Sequence, residues 1–350
     1  MRSSPTPTKW APNQTAAPRR TAREEVALRP VSREVLRRIR KIEIITNRLV
    51  SDQLAGQYQS VFKGRGMSFD EVRPYQPGDE IRQIDWNVSA RTGDIYVKQF
   101  VEERELTILL VVDASASQSF GTREQTKISD AAWLSALLGF SAIRNNDRVG
   151  LIAFVEQAED TPEDEALLFI PPKKGRSHCL RLVRDVMAVE DWAEARIAER
   201  RERARPDVQT RLETALGYLN RVTRRRVVAF LISDFRAHGF TQALGVTSQR
   251  HDLIPIVTSD PGEETLIGAG LTFFEDPETG ELFPGWVGGR ARRRFAAAEA
   301  RRRAELQQTF ARYGMAPIVL PTGVTEDLES RASRYTKAII NYFRLRAKRQ

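Results

Sequence analysis

The chain has 350 residues, 41% of them apolar, with a formal net charge of +9, three histidines and one cysteine. That length suits one domain of ordinary size with appendages. The lone Cys179 excludes an internal disulfide or a cysteine-rich metal cluster, and no apolar run reaches the ~18 to 20 residues a membrane-spanning helix needs.

The charge is uneven. Residues 1–50 carry 12 Lys/Arg against 4 acids and residues 285–350 carry 15 against 5, so the stretch between them is acidic. Basic ends on an acidic body suit contact with nucleic acid, anionic lipid or an acidic partner, but the preferred reading is that arginine is simply common in this composition. The opening Met1-Arg-Ser-Ser-Pro-Thr-Pro-Thr lacks the apolar core of a signal peptide, so a cytoplasmic location is expected.

In chain order, residues 1–22 combine four prolines with Ser, Thr and Arg and are expected to be a disordered arm. A helix is expected from Ser32, which can cap it, with Val35, Leu36, Ile39, Ile42 and Leu49 at helical spacing. The Gly- and Pro-rich stretch after Lys63 implies turns rather than long elements. Its Lys63-Gly-Arg-Gly run lacks the spacing of a phosphate loop. Tyr96 to Phe100 alternates like a strand.

From Leu106 strands and helices alternate, which predicts a mostly parallel sheet with helices on both faces. Strands are expected at 106–112, 149–154, 167–170, 227–232, 253–258 and 317–320. Helices are expected at about 129–144, 177–188, 211–223, 239–249, 290–312 and 325–347, with a further charged helical stretch at 190–205. Leu271 to Phe283 reads as a hairpin turning at Asp276-Pro-Glu-Thr-Gly280. In the closing helix Leu328, Ala332, Tyr335, Ile339 and Phe343 share one face.

The chemistry concentrates at two strand ends. Asp113-Ala-Ser115-Ala-Ser117 follows the first apolar strand, and Asp234 follows the strand at 227–232. Thr210 precedes the helix between them. In an open α/β sheet ligands gather outside the carboxyl ends of the strands, where strand order reverses. Carboxylates and hydroxyls placed there make an oxygen-rich cage suited to one hard divalent cation, Mg²⁺ or Mn²⁺. Each motif can also serve only its own backbone, since Asp and Ser readily bond the turns they occupy.

Strand–Asp-x-Ser-x-Ser, a helix-opening Thr and strand–Ser-Asp together resemble the von Willebrand factor A domain. More narrowly, Phe69-Asp-Glu-Val-Arg-Pro-Tyr-Gln-Pro-Gly-Asp-Glu-Ile-Arg-Gln-Ile-Asp-Trp-Asn-Val-Ser-Ala-Arg is similar to the signature of the bacterial DUF58 family, as is the Asp276 turn. The likeness covers about residues 55–345. It implies a doubly wound α/β fold of the von Willebrand factor A-like kind, with an N-terminal helical or irregular appendage and a small hairpin insertion. The expected divisions are an arm at 1–22, a helix with the signature segment at 23–105, and the A-like domain at 106–350.

The resemblance implies a metal-dependent adhesion site. Ser115 and Ser117 would ligate directly, Asp113 and Asp234 directly or through water, and Thr210 would engage when a partner binds. It also implies a non-enzymatic adaptor working beside a MoxR-type AAA+ ATPase, with an acidic side chain of a client completing the metal shell. Some relatives carry membrane segments, where this chain begins with a polar arm.

Enzymatic alternatives lack their parts. An aspartyl-phosphate phosphatase would want a carboxylate at position 115, which is serine, and no Gly-x-Ser-x-Gly elbow is present. His178, His238 and His251 have no metal spacing and are expected on the surface or in loops. Trp86 is expected to be buried, with Asp85 serving backbone donors or an arginine such as Arg82. The alternative class is a nucleic-acid or anionic-membrane binder acting through the basic ends. It is weakened by the absence of an aromatic stacking platform and by arginines such as Arg294, Arg301 and Arg302 that fit a solvated helix face.

Overall fold

The computed structural model describes residues 68–101, 105–119, 126–156, 162–203, 212–260, 268–275, 282–322 and 327–348, with residues 21, 37, 40, 41, 44, 45, 263 and 266. The expected arm, most of the Ser32 helix, Thr210 and the hairpin turn lie outside these. Of the helix expected from Ser32, residues 37, 40, 41, 44 and 45 are described and helical, with Ile44 exposed and Ile45 buried in the main core.

Two antiparallel strands come first, β1 (Ser68–Pro74) and β2 (Tyr96–Val101), with the short helix α1 (Trp86–Thr92) between them. The turn-rich reading of this segment overlooked β1 and α1. Proline and glycine density hid a strand whose pairing comes from residues two dozen positions later. Asp85 is the N-cap of α1, accepting from Asn87 N at 3.0 Å and Val88 N at 3.2 Å. Its basic neighbour is Lys98, 3.6 Å away, rather than Arg82. Trp86 is 65% exposed, so its expected burial is corrected: it opens α1, a short helix none of whose residues is buried.

The central sheet has six strands: β3 (Thr107–Asp113), β4 (Arg148–Phe154), β5 (Leu167–Lys173), β6 (Val228–Ser233), β7 (Asp252–Ser259) and, after the hairpin, β10 (Ile318–Pro321). Their spatial order is β10-β7-β6-β3-β4-β5, and only β5 runs antiparallel to its neighbour. Mixed α/β architecture with a mostly parallel central sheet is therefore observed. Ile108 to Val112 of β3 are buried on both faces, which is why their sequence is an unbroken apolar run rather than an alternation. Residues Pro171 and Pro172 lie inside β5, which extends to Lys173; the position at the sheet edge leaves room for residues without an N–H.

Helices cover both faces. Even-numbered residues of β3 (Ile108, Leu110, Val112) share a core with α2 (Lys127–Arg144), α4 (Arg176–Arg203) and α8 (Leu328–Ala347). Leu109 and Val111 face the opposite core, formed with α5 (Leu212–Val222), α6 (Thr241–Arg250) and the end of α7 (Gly289–Arg312). A single turn, α3 (Glu163–Ala166), precedes β5. The two helical stretches expected at 177–188 and 190–205 are one helix, because Val189, Trp192 and Ala193 continue the buried face across the charged sequence. Ala332, Tyr335, Ile339 and Phe343 are buried as their spacing predicts. The hairpin is β8 (Gly270–Glu275) with β9 (Leu282–Val287), paired antiparallel.

The histidines divide. His238 is exposed and His178 half-buried, its Nε2 2.9 Å from the Val149 carbonyl. His251 is fully buried beside Thr223, which corrects the surface expectation. It caps α6 at the entry to β7, with Thr223 Oγ1 3.1 Å from its Nε2 and Val227 N donating to its Nδ1 at 3.4 Å.

Candidate functional site

Reading outward from β3, the strand order runs to β4 and β5 on one side and to β6, β7 and β10 on the other. The reversal falls between β3 and β6, and a crevice opens at the carboxyl ends of such a pair. Asp113 ends β3 and Ser233 ends β6, so the motifs that stood 120 positions apart arrive side by side.

Local chemistry explains each loop. Asp113 Oδ1 accepts from Ser115 N at 3.0 Å, folding the chain into the 3₁₀ turn Ala116–Ser119. The Ser115 and Ser117 hydroxyls then lie 3.0 Å apart, both buried. Ala116 N donates to the buried carboxylate of Glu156, just beyond the end of β4. Across the crevice Ser233 Oγ donates to Asp113 Oδ2 at 2.6 Å and accepts from Phe235 N at 3.0 Å. Phe235 has φ 53°, and Asp234 Oδ1 accepts from Arg236 N at 3.2 Å.

Thus Asp113, Ser115, Ser117 and Asp234 converge at the switch point. Part of their capacity serves the backbone, as the capping alternative anticipated. Thr210 lies outside the described residues.

Burial pushes the Asp113 carboxyl up to about 7, and the negative charge of Asp234 adds to the shift. Among the described residues no Lys or Arg forms an ion pair with Asp113. Asp234 behaves oppositely. Burial works against its ionisation, but the Lys127 ammonium more than offsets this and holds its carboxyl below the ordinary range.

Lys127, at the start of α2, is wholly buried and donates to Asp234 Oδ2 at 2.6 Å and Glu263 Oε1 at 2.7 Å. Arg236 approaches Glu263 at 3.6 Å and pairs with Glu299 at 3.1 Å. Arg302 bonds Glu299 at 3.2 Å and the Asp234 carbonyl at 3.3 Å, so it is a component of this network rather than of a solvated helix face.

Lys127, Glu156, Glu263, Arg236 and Glu299 were not singled out from the sequence, and Ser233 entered only as the neighbour of Asp234 in the strand–Ser-Asp pattern. The others lie on five different segments, and spacing along the chain carries no trace of their meeting.

Among the described residues no group of three or more His, Cys, Asp or Glu is arranged to hold a metal ion. The convergent set offers two carboxylates and hydroxyls instead. Asp234, Glu263 and Glu299 face Lys127, Arg236 and Arg302, whereas Asp113 has no ion-pair cation among the described residues. Two carboxylates and neighbouring hydroxyls are oxygen donors of the kind a hard divalent ion takes, and a cation would favour the ionised form of Asp113 that burial opposes.

Known proteins agree on kinship. The model of the family described as "Protein of unknown function DUF58" matches residues 71–305. The uncharacterized protein Rv1480 of Mycobacterium tuberculosis (strain ATCC 25618 / H37Rv) is 30% identical over 274 residues, 78% of this chain and 80% of its own length. The uncharacterized protein YeaD of Bacillus subtilis (strain 168) is 28% identical over 94 residues, 27% of this chain and 22% of its own. Among solved structures, BatB from Bacteroides thetaiotaomicron superposes with a TM-score of 0.36 at 13% identity, over 67% of this chain and 99% of that one. An aerotolerance-related membrane protein from Bacteroides fragilis gives 0.38 at 15% identity, over 69% and 99%. Superpositions this loose carry no functional weight. The family match spans about two thirds of the chain, including all but the first two residues of the signature segment, the switch-point loops and the hairpin, and places this chain in the DUF58 family.

Proposed function

We propose that this chain is a von Willebrand factor A-like interaction module that holds one Mg²⁺ or Mn²⁺ and recognises a partner through it. Asp113, Ser115, Ser117 and Asp234 would hold the ion, with Thr210 as the fifth residue. When bound, the ion supplies an electrophilic centre for an acidic side chain of the partner, and the chain itself catalyses nothing. The observation that supports this is the Asp113 carboxylate: buried, beside a second carboxylate and two hydroxyls, and without a basic partner among the described residues. Neutral hydroxyls leave a bound cation unsaturated in charge, which suits recognition of a carboxylate.

The resemblance extends the reading to an adaptor that couples a client to a MoxR-type AAA+ ATPase from the cytoplasm. Divisions at 1–22, 23–105 and 106–350 belong to the same proposal.

The test is affinity capture with the full chain in Mg²⁺, washed with EDTA or with salt. Release of an ATPase of that class, or of a discrete client, by EDTA alone supports the reading, provided Asp113→Ala captures neither. The exposed Arg290, Arg292, Arg293 and Arg294 favour the alternative of an anionic ligand. Nucleic acid or lipid that leaves with salt and ignores EDTA would establish that one instead.

A further inference from the structure

Lys127 is the first residue of α2 and has no exposed surface. Neither circumstance suits a lysine. Its ammonium gives up hydration in the interior, and the amino end of a helix repels positive charge. What compensates is a pair of carboxylates, Asp234 Oδ2 at 2.6 Å and Glu263 Oε1 at 2.7 Å. Arg236 does not duplicate this role: its Nε stands 4.0 Å from Asp234 and its Nη1 is committed to Glu299. The crevice therefore already contains one cation, seated on one of the two carboxylates that the proposed function assigns to a metal.

We infer that Lys127 is the resident cation of this site and competes with a divalent ion for Asp234. This rests on the metal-binding reading above. In the metal-free protein the ammonium neutralises Asp234 and spares the crevice two adjacent uncompensated carboxylates. Glu263 gives the ammonium a second seat that it keeps when Asp234 is released. The site then loads weakly by itself, and a partner that adds its own carboxylate to the metal shifts the balance. Lys127 is thus a positioning residue that couples metal loading to partner binding.

The test uses the full chain with Mn²⁺ as the probe, in the parent, Lys127→Gln and Lys127→Arg. Affinity is read by calorimetry and by the paramagnetic resonance of free Mn²⁺. Removing a buried unit charge a few ångströms from the ligand should tighten Mn²⁺ binding roughly tenfold or more in Lys127→Gln, whereas the charge-conserving Lys127→Arg should bind no tighter than the parent. Without metal Lys127→Gln should melt lower than the parent, and saturating Mn²⁺ should close the gap. Parent and Lys127→Gln binding with equal affinity would overturn the inference while leaving the metal site intact. Absence of Mn²⁺ binding in both would instead remove the metal reading itself, and the inference with it. If Lys127→Gln folds only with Mn²⁺, the Mn²⁺ dependence of its refolding gives the affinity; failure to fold at any Mn²⁺ concentration overturns the inference.

Discussion

The Ser233 hydroxyl donates a 2.6 Å hydrogen bond to Asp113 Oδ2, joining the carboxyl ends of β6 and β3 across 120 positions of sequence. It also accepts from Phe235 N, so one buried oxygen fixes both loops of the crevice. Ser233→Ala would leave Asp113 short of a partner and Phe235 N without an acceptor. Such losses cost about 1–3 kcal/mol. Urea unfolding should show a lower midpoint with an unchanged slope, and a shift within experimental error would mean the bond is dispensable.

Asp113 and Asp234 repel each other when both are charged and no metal is bound. The Asp113 carboxyl is raised to about 7, above its value in an unfolded chain, so its favourable contribution is complete at low pH and is lost as pH rises through about 7. Asp113→Asn should therefore stabilise the metal-free protein at pH 8 by roughly 1 kcal/mol. The same variant should abolish the rise in melting temperature that Mn²⁺ produces in the parent. A variant that still responds to Mn²⁺ would take Asp113 out of the ligand set.

His251 sits buried between α6 and β7, and burial lowers its imidazole to about 4, with the charge of Arg250 assisting. Its folded value is depressed relative to the ordinary 6.5, so the unfolded chain binds the extra proton between those values. Stability from this residue is complete above about pH 6.5 and falls as pH drops toward 4, by an amount on the order of 1–2 kcal/mol. His251→Gln should flatten that part of a stability–pH curve. An unchanged curve would locate the dependence elsewhere.

Arg331 of α8 and Asp130 of α2 form an ion pair at 3.4 Å with both side chains almost wholly buried. Removing the guanidinium alone leaves the carboxylate inside without it. Arg331→Met is expected to cost about 3–5 kcal/mol, whereas the double change with Asp130→Leu should recover much of the loss. Failure of the second change to restore the melting temperature would mean that the pair is not the unit that matters.

Gly150 lies where β4 and β5 lose regular register, between Val149 and Leu151. A Cβ there would come within 2.7 Å of the Ile170 carbonyl and 2.9 Å of Pro172 N, both backbone atoms. Gly150→Ala must part the two strands and should destabilise by about 1–3 kcal/mol in thermal unfolding. A melting temperature equal to the parent's would show that the edge strand yields freely.

By itself the sequence determined the layered architecture. Unbroken apolar runs at 106–112 and 227–232, of strand length and β-branched content, read as strands buried on both faces, and the helical spacing of Ala332, Tyr335, Ile339 and Phe343 reads as one buried helix face. It also determined that Asp113, Ser115, Ser117 and Asp234 stand at strand ends, because a strand that stops being apolar stops where the sheet meets the crevice. Period and hydrophobicity are local quantities, and these features depend on nothing else.

Pairing and charge placement are not local, and tertiary structure alone decided them. The β1–β2 pair, the exposure of Trp86 and the burial of His251 follow from which segment covers which. The largest case is Lys127, which in the sequence stands just before the helix expected from about 129. Only the approach of β6 and of Glu263 makes it a buried cation at the crevice, because a charge acquires its energy from neighbours that the fold brings within 3 Å.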